Sequence, residues 1–199
     1  MDSVDDTLVS LGGWLFRRRS WLPVPLAIVL LLVPAPGRSI SVFWLGALVV
    51  IAGELLRLWG VRHIGVISRT RSDRLGPVVS SGPFAFIRNP LYVGNIALWI
   101  GFTTSAGLLW LTPLVVAALG LEYHAIVRWE ERLLESRRGE SYQAYAALVP
   151  RWLPALTRGR LDRAAVGPLF SWRETLFSER GTLLAIAIGY VVLEVKAQL

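Results

Sequence analysis

Residues 91–127 read LYVGNIALWIGFTTSAGLLWLTPLVVAALGLEYHAIV. Two apolar runs, 91–103 and 108–127, flank the small-residue turn Thr104-Ser105-Ala106-Gly107. A connection this short joins antiparallel neighbours, so the stretch predicts a helical hairpin. The second run matches the roughly 20 residues that a membrane-crossing helix needs. Outward from the hairpin lie three more apolar stretches: 21–34 (WLPVPLAIVLLLVP), 40–59, and 181–195 (GTLLAIAIGYVVLEV). The first extends either backward past Arg17, Arg18 and Arg19 or forward to Pro36. The resulting expectation is an all-α integral-membrane protein with about five transmembrane helices.

Composition agrees with that reading. The 199-residue chain is 54% hydrophobic and only 18% charged, whereas soluble domains carry about 25% charged residues. A chain so apolar is not intrinsically disordered. With no cysteine it has no disulfide, thiolate metal site or cysteine nucleophile. Its net charge is +7, and every basic residue except Lys196 and the two histidines is arginine. Nucleic acid is one partner that basic chains take; with this hydropathy the lipid bilayer is the expected one. Asp2, Asp5 and Asp6 spoil the basic start of a signal peptide, and no small-residue cleavage site follows.

The arginines also predict orientation. Arg17, Arg18 and Arg19 precede the first stretch, and Arg62, Arg69, Arg71, Arg74 and Arg88 lie between the second and third. Arg128, Arg132, Arg137, Arg138, Arg151, Arg158, Arg160 and Arg163 lie between the fourth and fifth. The alternate connections hold Arg38 alone and nothing. The positive-inside rule then puts the N-terminus, and any site built on the arginine-rich connections, in the cytoplasm, with Lys196 on the far side. Residues 130–145 read as a continuation of the fourth helix, broken near Gly139 and followed by an amphipathic helix ending before Val149. Residues 158–179 read as a polar linker. The whole chain, 1–199, is expected to form one domain, its core at 40–154 and an added helix at the C-terminus.

Three constellations can carry chemistry. In Gly82-Pro83-Phe84-Ala85-Phe86-Ile87-Arg88-Asn89-Pro90-Leu91-Tyr92-Val93-Gly94, Asn89 suits an N-cap and Pro90 the first helical position. Arg88 beside free helix N–H groups equally makes an anion site. In Arg128-Trp129-Glu130-Glu131, Trp129 with Glu131 and Arg132 reads as an interfacial anchor emerging into water. Glu130 can instead face a cationic or polyhydroxy ligand. His124, in the same helix, reads as a hydrogen-bonded interfacial side chain. Glu54 and Arg57 share one helical face inside an apolar stretch, where ionisable residues face the protein interior or a polar cavity. They either neutralise each other or line a pocket. No dinucleotide fingerprint, P-loop, H-E-x-x-H or G-x-S-x-G motif is present, and two histidines alone make no metal site.

Leu75-Gly76-Pro77-Val78-Val79-Ser80-Ser81-Gly82-Pro83-Phe84, followed by Arg88-Asn89-Pro90-Leu91-Tyr92-Val93-Gly94, resembles the L-V-T-S-G-P-Y … R-(H/N)-P-x-Y-x-G signature of the isoprenylcysteine carboxyl methyltransferase family. Glu130-Glu131-x-x-Leu134, Gly139, Tyr142, Tyr145 and Val149-Pro150-Arg151-Trp152-Leu153-Pro154 resemble its E-E-x-x-L … F-G-x-x-Y-x-x-Y … V-P-R-W-I-P tail. The match runs over residues 40–154 in order. It departs at Asn89, where eukaryotic members carry histidine, at Phe84 for tyrosine, and at Arg138 for phenylalanine.

The resemblance implies a membrane methyltransferase that uses S-adenosyl-L-methionine and a cytoplasmic cofactor-binding segment towards the C-terminus. It implies that Gly76, Pro77, Val78, Val79, Phe84, Arg88, Asn89, Pro90, Leu91, Tyr92 and Glu130 hold the cofactor. Arg128 and Glu130 would face the reacting groups. The acceptor is expected to be lipophilic or prenylated; phospholipid N-methylation and small-thiol S-methylation share the pattern. An NADPH-dependent sterol-type reductase and a non-catalytic scaffold are readings from other classes. No oligomeric state follows from the sequence.

Overall fold

The computed structural model describes residues 2–19, 21, 23–34, 38–65, 78–155 and 169–198, with residues 2–5 through their backbone alone. Among these, every regular element is helical: α1 (Asp2–Arg18), α2 (Pro23–Leu32), α3 (Ile40–Ile64), α4 (Pro90–Ser105), α5 (Thr112–Arg138), α6 (Glu140–Leu148) and α7 (Trp172–Ala197). Short 3-10 turns at Gly82–Ala85 and Leu109–Leu111 precede α4 and α5. Three segments are long and apolar enough to cross a membrane: Ile40–Ile64, Leu109–Arg138 and Trp172–Ala197.

The other two expected spans are shorter than their apolar runs suggested. α2 has only 10 residues, about 15 Å at 1.5 Å per residue, because its helix starts anew at Pro23. The arginines before it end a separate helix, α1, rather than prolonging the apolar one. α4 has 16 residues, about 24 Å against a hydrocarbon core of about 30 Å. It stops where Gly107 takes φ +76°. The hairpin itself forms as expected, with α4 and α5 packed side by side. α7 begins at Trp172 rather than 181, because Ser171 and Glu174 form a reciprocal capping box within the supposed linker.

The frame of the fold is the α3–α4 pair. Gly46 and Gly53 on α3 face Gly101 and Gly94 on α4 in antiparallel register. A Cβ at Gly46 would lie 2.5 Å from the Gly101 carbonyl oxygen, and one at Gly53 would lie 2.9 Å from that of Gly94. The backbones therefore touch, as small residues permit where lipid supplies no hydrophobic drive between helices. On the outside, α1 packs along the C-terminal half of α5, where a Cβ at Gly12 would come within 2.0 Å of the Ala125 carbonyl oxygen. Leu108, Val115, Leu119 and Ile126 line the buried side of α5 and its lead-in turn.

Two groups of charged side chains mark opposite ends of the bundle. At one end Arg38 pairs with Glu194 at 2.8 Å, and Lys196 donates to the carbonyls of Leu30 and Val33. Arg38 also reaches the Ser105 carbonyl at 3.5 Å. The opposite end gathers Arg88, Glu130, Glu131 and Arg151.

Candidate active site

The site grows from the turn ahead of α4. Gly82 takes φ +60°, and a Cβ there would strike the His63 ring at 2.4 Å. The same ring meets Ser81 Oγ through Nδ1 at 2.8 Å, so the end of α3 buttresses the turn. Phe84 is buried, and its carbonyl accepts a 2.9 Å hydrogen bond from the Tyr145 hydroxyl of α6. The chain after α6 then lies along the turn. Arg88 N–H donates to the Pro150 carbonyl and Ala155 N–H to that of Phe86, each at 2.9 Å. Asn89 Nδ2 donates to the Arg151 carbonyl at 3.1 Å.

That last bond corrects one expectation. Asn89 occupies the N-cap position of α4 and Pro90 follows at the first turn, yet the Asn89 side chain caps nothing. Its amide is committed to Arg151 instead. The leading amides of α4 are thus left without a side-chain cap, in the place where helix geometry leaves N–H groups unpaired.

Glu131 corrects another. It does not emerge into water with Trp129; it is 7% exposed. It accepts from Arg88 Nη1 at 2.8 Å and from Arg151 Nε at 3.0 Å, with Arg151 Nη2 on its second oxygen. One carboxylate thus holds two guanidinium groups, leaving a formal charge of +1. The Arg88 Nε is buried without a hydrogen-bond partner. Trp129 is half-buried, its ring packed on Phe16 of α1 at 4.8 Å. Arg132 does face solvent, paired with Asp6. Outside the spans, burial pushes the Tyr142 hydroxyl up to about 12, with the Glu131 carboxylate as second cause. Burial raises Tyr145 further.

Above this clasp, the Tyr92 hydroxyl donates to Glu130 Oε1 at 3.1 Å, and the Tyr92 ring packs on Tyr123 at 4.8 Å. These groups open onto a cavity of about 1090 Å³. Val78, Val79, Phe84, Arg88, Asn89, Pro90, Leu91, Tyr92 and Glu130 all line it. Two sequence motifs about forty residues apart therefore converge on one space. Gly76 and Pro77 lie outside the described residues. Arg128 and His124 are not among the lining residues.

Several lining residues escaped the sequence reading. Phe16 and Arg19 come from the end of α1, the Arg19 guanidinium lying over the Phe16 ring at 4.1 Å. Arg57 lines the cavity, answering the question left open for the Glu54–Arg57 pair, and joins Asn95, Glu179 and Thr182 there. Its Nε donates to Glu54 at 3.1 Å, Nη1 to Asn95, and Nη2 to Glu179 and, at 3.1 Å, to Thr182. A charged residue at 57 signalled an interior partner. Nothing local in the sequence signalled that the partner stands on α7. Among the described residues no three His, Asp or Glu side chains gather as a metal site.

A helical membrane protein with an amphiphilic cavity between hairpin, N-terminal helix and C-terminal helix is the class that fold and site define. Comparison with known families matches residues 41–140 to phospholipid methyltransferase, and the chain belongs to that family of membrane methyltransferases. Among curated proteins it is similar to the nickel-cobalt-cadmium resistance protein NccN of Alcaligenes xylosoxydans xylosoxydans. The two are 29% identical over 69% of this chain and 62% of the relative. It is also similar to the cobalt-zinc-cadmium resistance protein CzcN of Cupriavidus metallidurans, at 34% identity over 57% of this chain and 49% of the relative. The chain thus spans between about half and three fifths of these relatives' lengths. No solved structure matches it.

Proposed function

We propose that the protein is an S-adenosyl-L-methionine-dependent methyltransferase acting on a lipophilic acceptor. The observation that carries this is the convergence of the 78–92 and 130–131 motifs on one cavity with both a polar end and apolar walls. Pockets for small molecules and cofactors run to about 300–1,000 Å³. At about 1090 Å³, this one has room for a donor beside an acceptor.

The residues suit the cofactor group by group. The Arg88–Glu131–Arg151 clasp has one cationic charge in excess and lies beside the uncapped start of α4, which favours a carboxylate. The orphaned Arg88 Nε is a donor awaiting an acceptor. The Glu130 carboxylate suits ribose hydroxyls and a sulfonium charge, and Phe84 and Tyr92 offer aromatic faces to adenine. When bound, S-adenosyl-L-methionine supplies a methyl group activated on sulfonium. The chain's own task is then to hold donor and acceptor in line and to exclude water. Tyr92 fixes the Glu130 carboxylate by hydrogen bond. For an acceptor arriving with an N–H or S–H proton, Glu130 is the group placed to take it. A carboxylate acceptor needs no base. Arg128, off the cavity, has no part in this scheme.

We further propose five crossings, with α2 and α4 completing the set despite their length and the cavity's polar end in the cytoplasm. The sorting of arginines supports this orientation.

The test is a thermal-shift comparison of S-adenosyl-L-methionine with NADPH on protein in lipid nanodiscs, followed by labelled-methyl transfer to membrane extract. The expected result is stabilisation by the former alone and a labelled lipid-phase product. A shift with NADPH alone overturns the proposal, as does full transfer activity in Glu130→Ala.

A further inference from the structure

We infer that Glu179, on α7, is a positioning residue for the Tyr92–Glu130 pair and acts on it through Arg57 and Asn95. α7 lies wholly outside the region matched by the family, residues 41–140, so no shared motif gives it a place in the site. Yet Glu179 is 1% exposed, on a helix whose other faces are largely open. A carboxylate so buried inside an apolar helix needs a partner, and it has one in the Arg57 guanidinium.

Arg57 is the hub. The guanidinium is a planar fork whose N–H directions are fixed relative to one another. With Nε on Glu54 and Nη2 on Glu179 and Thr182, its plane is set by α3 and α7 together. That plane determines where Nη1 points, and Nη1 holds the Asn95 side-chain oxygen. Asn95 sits three residues beyond Tyr92, on the same face of α4. Asn95 and Tyr123 both line the cavity, and the Tyr123 ring packs against that of Tyr92. Tyr92 in turn donates to Glu130. Arg57, Asn95, Tyr92, Tyr123 and Glu130 all stand along the cavity wall.

Two more contacts fix α7 in register, so that Glu179 arrives at a defined height. A Cβ at Gly189 would meet the Phe102 ring at 2.8 Å, and the Tyr190 and Ser105 hydroxyls share a 3.0 Å hydrogen bond. Without the Glu179 carboxylate, Arg57 keeps Glu54 and the Thr182 hydroxyl but loses the charged strut on α7 that helps set its plane. Asn95 and the tyrosine pair then lose their fixed orientation.

The inference rests on the cofactor reading above. The experiment is calorimetric binding of S-adenosyl-L-methionine to wild type, Glu179→Gln, Tyr92→Phe and the double variant, all in nanodiscs. Glu179→Gln is expected to weaken binding about tenfold, and to add almost nothing once Tyr92→Phe is present, because the two act along one path. A merely structural role would lower the fraction of binding-competent protein at unchanged Kd. Unchanged Kd in Glu179→Gln, or fully additive losses in the double variant, overturns the inference. Should Glu179→Gln yield no folded protein, Arg57→Lys decides the matter. It keeps the charge and loses the fork; a similar loss that is non-additive with Tyr92→Phe supports the inference, and unchanged Kd overturns it. No binding by the wild type overturns the cofactor reading instead.

Discussion

Glu131 and Glu130 are adjacent in sequence and have opposite duties. Glu130 opens on the cavity and accepts a hydrogen bond from Tyr92. Glu131 is spent on two arginines that arrive from opposite sides, one before α4 and one after α6. Removing one partner from a buried ion network leaves uncompensated charge, at a cost of about 3–5 kcal/mol. Glu131→Ala should therefore lose most of its folded yield, or melt far below wild type. Glu130→Ala should melt close to wild type while losing transfer activity. Melting of the two variants side by side checks the division of labour. The same neighbourhood predicts a pH effect. The buried Tyr142 hydroxyl, pushed up to about 12 from 10.0, keeps its proton where the unfolded chain has lost it. Its stabilisation is complete below about pH 10 and disappears as pH rises from 10 to 12. Melting temperature should fall over that window, and the fall should be shallower in Tyr142→Phe. The sequence marked Glu130 by its motif but not the fate of Glu131. A Trp-Glu-Glu run at the end of an apolar helix resembles an exit into water, and only the return of the chain through Arg151 buries it.

At the level of elements, hydrophobic runs located α2, α3, α4, α5 and α7 but misjudged several of their ends, and no apolar run marked the 17-residue α1. α5 and α6 fell where periodicity put them, broken at Gly139 with φ +48°. α2 fell short because an apolar run says nothing of where the chain must turn. The start of α7 was legible after all, as Ser171-Trp172-Arg173-Glu174, and was hidden by the polarity around it. The glycines were not legible as a set. Gly46, Gly53 and Gly60 are seven residues apart, as are Gly94 and Gly101, but spacing alone does not show which helix they face. At Gly101 a Cβ would sit 2.5 Å from Val50 Cγ2 and 2.6 Å from the Gly46 carbonyl oxygen. Gly101→Val should thus force α3 and α4 apart and cost roughly 3 kcal/mol or more, at the upper end of overpacking penalties. Gly181→Ala, where nothing lies within 4 Å, should be tolerated, and thermal melts of the pair test the contrast.

For the whole molecule, orientation is the property that sequence and structure constrain from different sides. Because the chain has no cysteine, single cysteines can be placed freely. Leu109 is exposed beyond the α4–α5 turn, and Ser136 is exposed near the opposite end of α5. Leu109→Cys and Ser136→Cys should react with an impermeant maleimide from opposite faces of the membrane. Labelling of both from one face would remove the proposed topology. The glycine seam also has a bearing on how the molecule comes apart. Its two helices are held by backbone contact rather than by exclusion from water, so acyl chains and detergent tails compete for it poorly. α7 shows much of its surface to the surroundings and depends on a few discrete contacts with α3 and α4. Local opening starts where buried contacts are sparsest. On heating or on transfer to a harsh detergent, damage should therefore spread inward from α7, and the binding space should be lost while the hairpin and its partner helix remain paired. Protein that still looks fully helical can then be inactive, and its inactivation would run ahead of its unfolding.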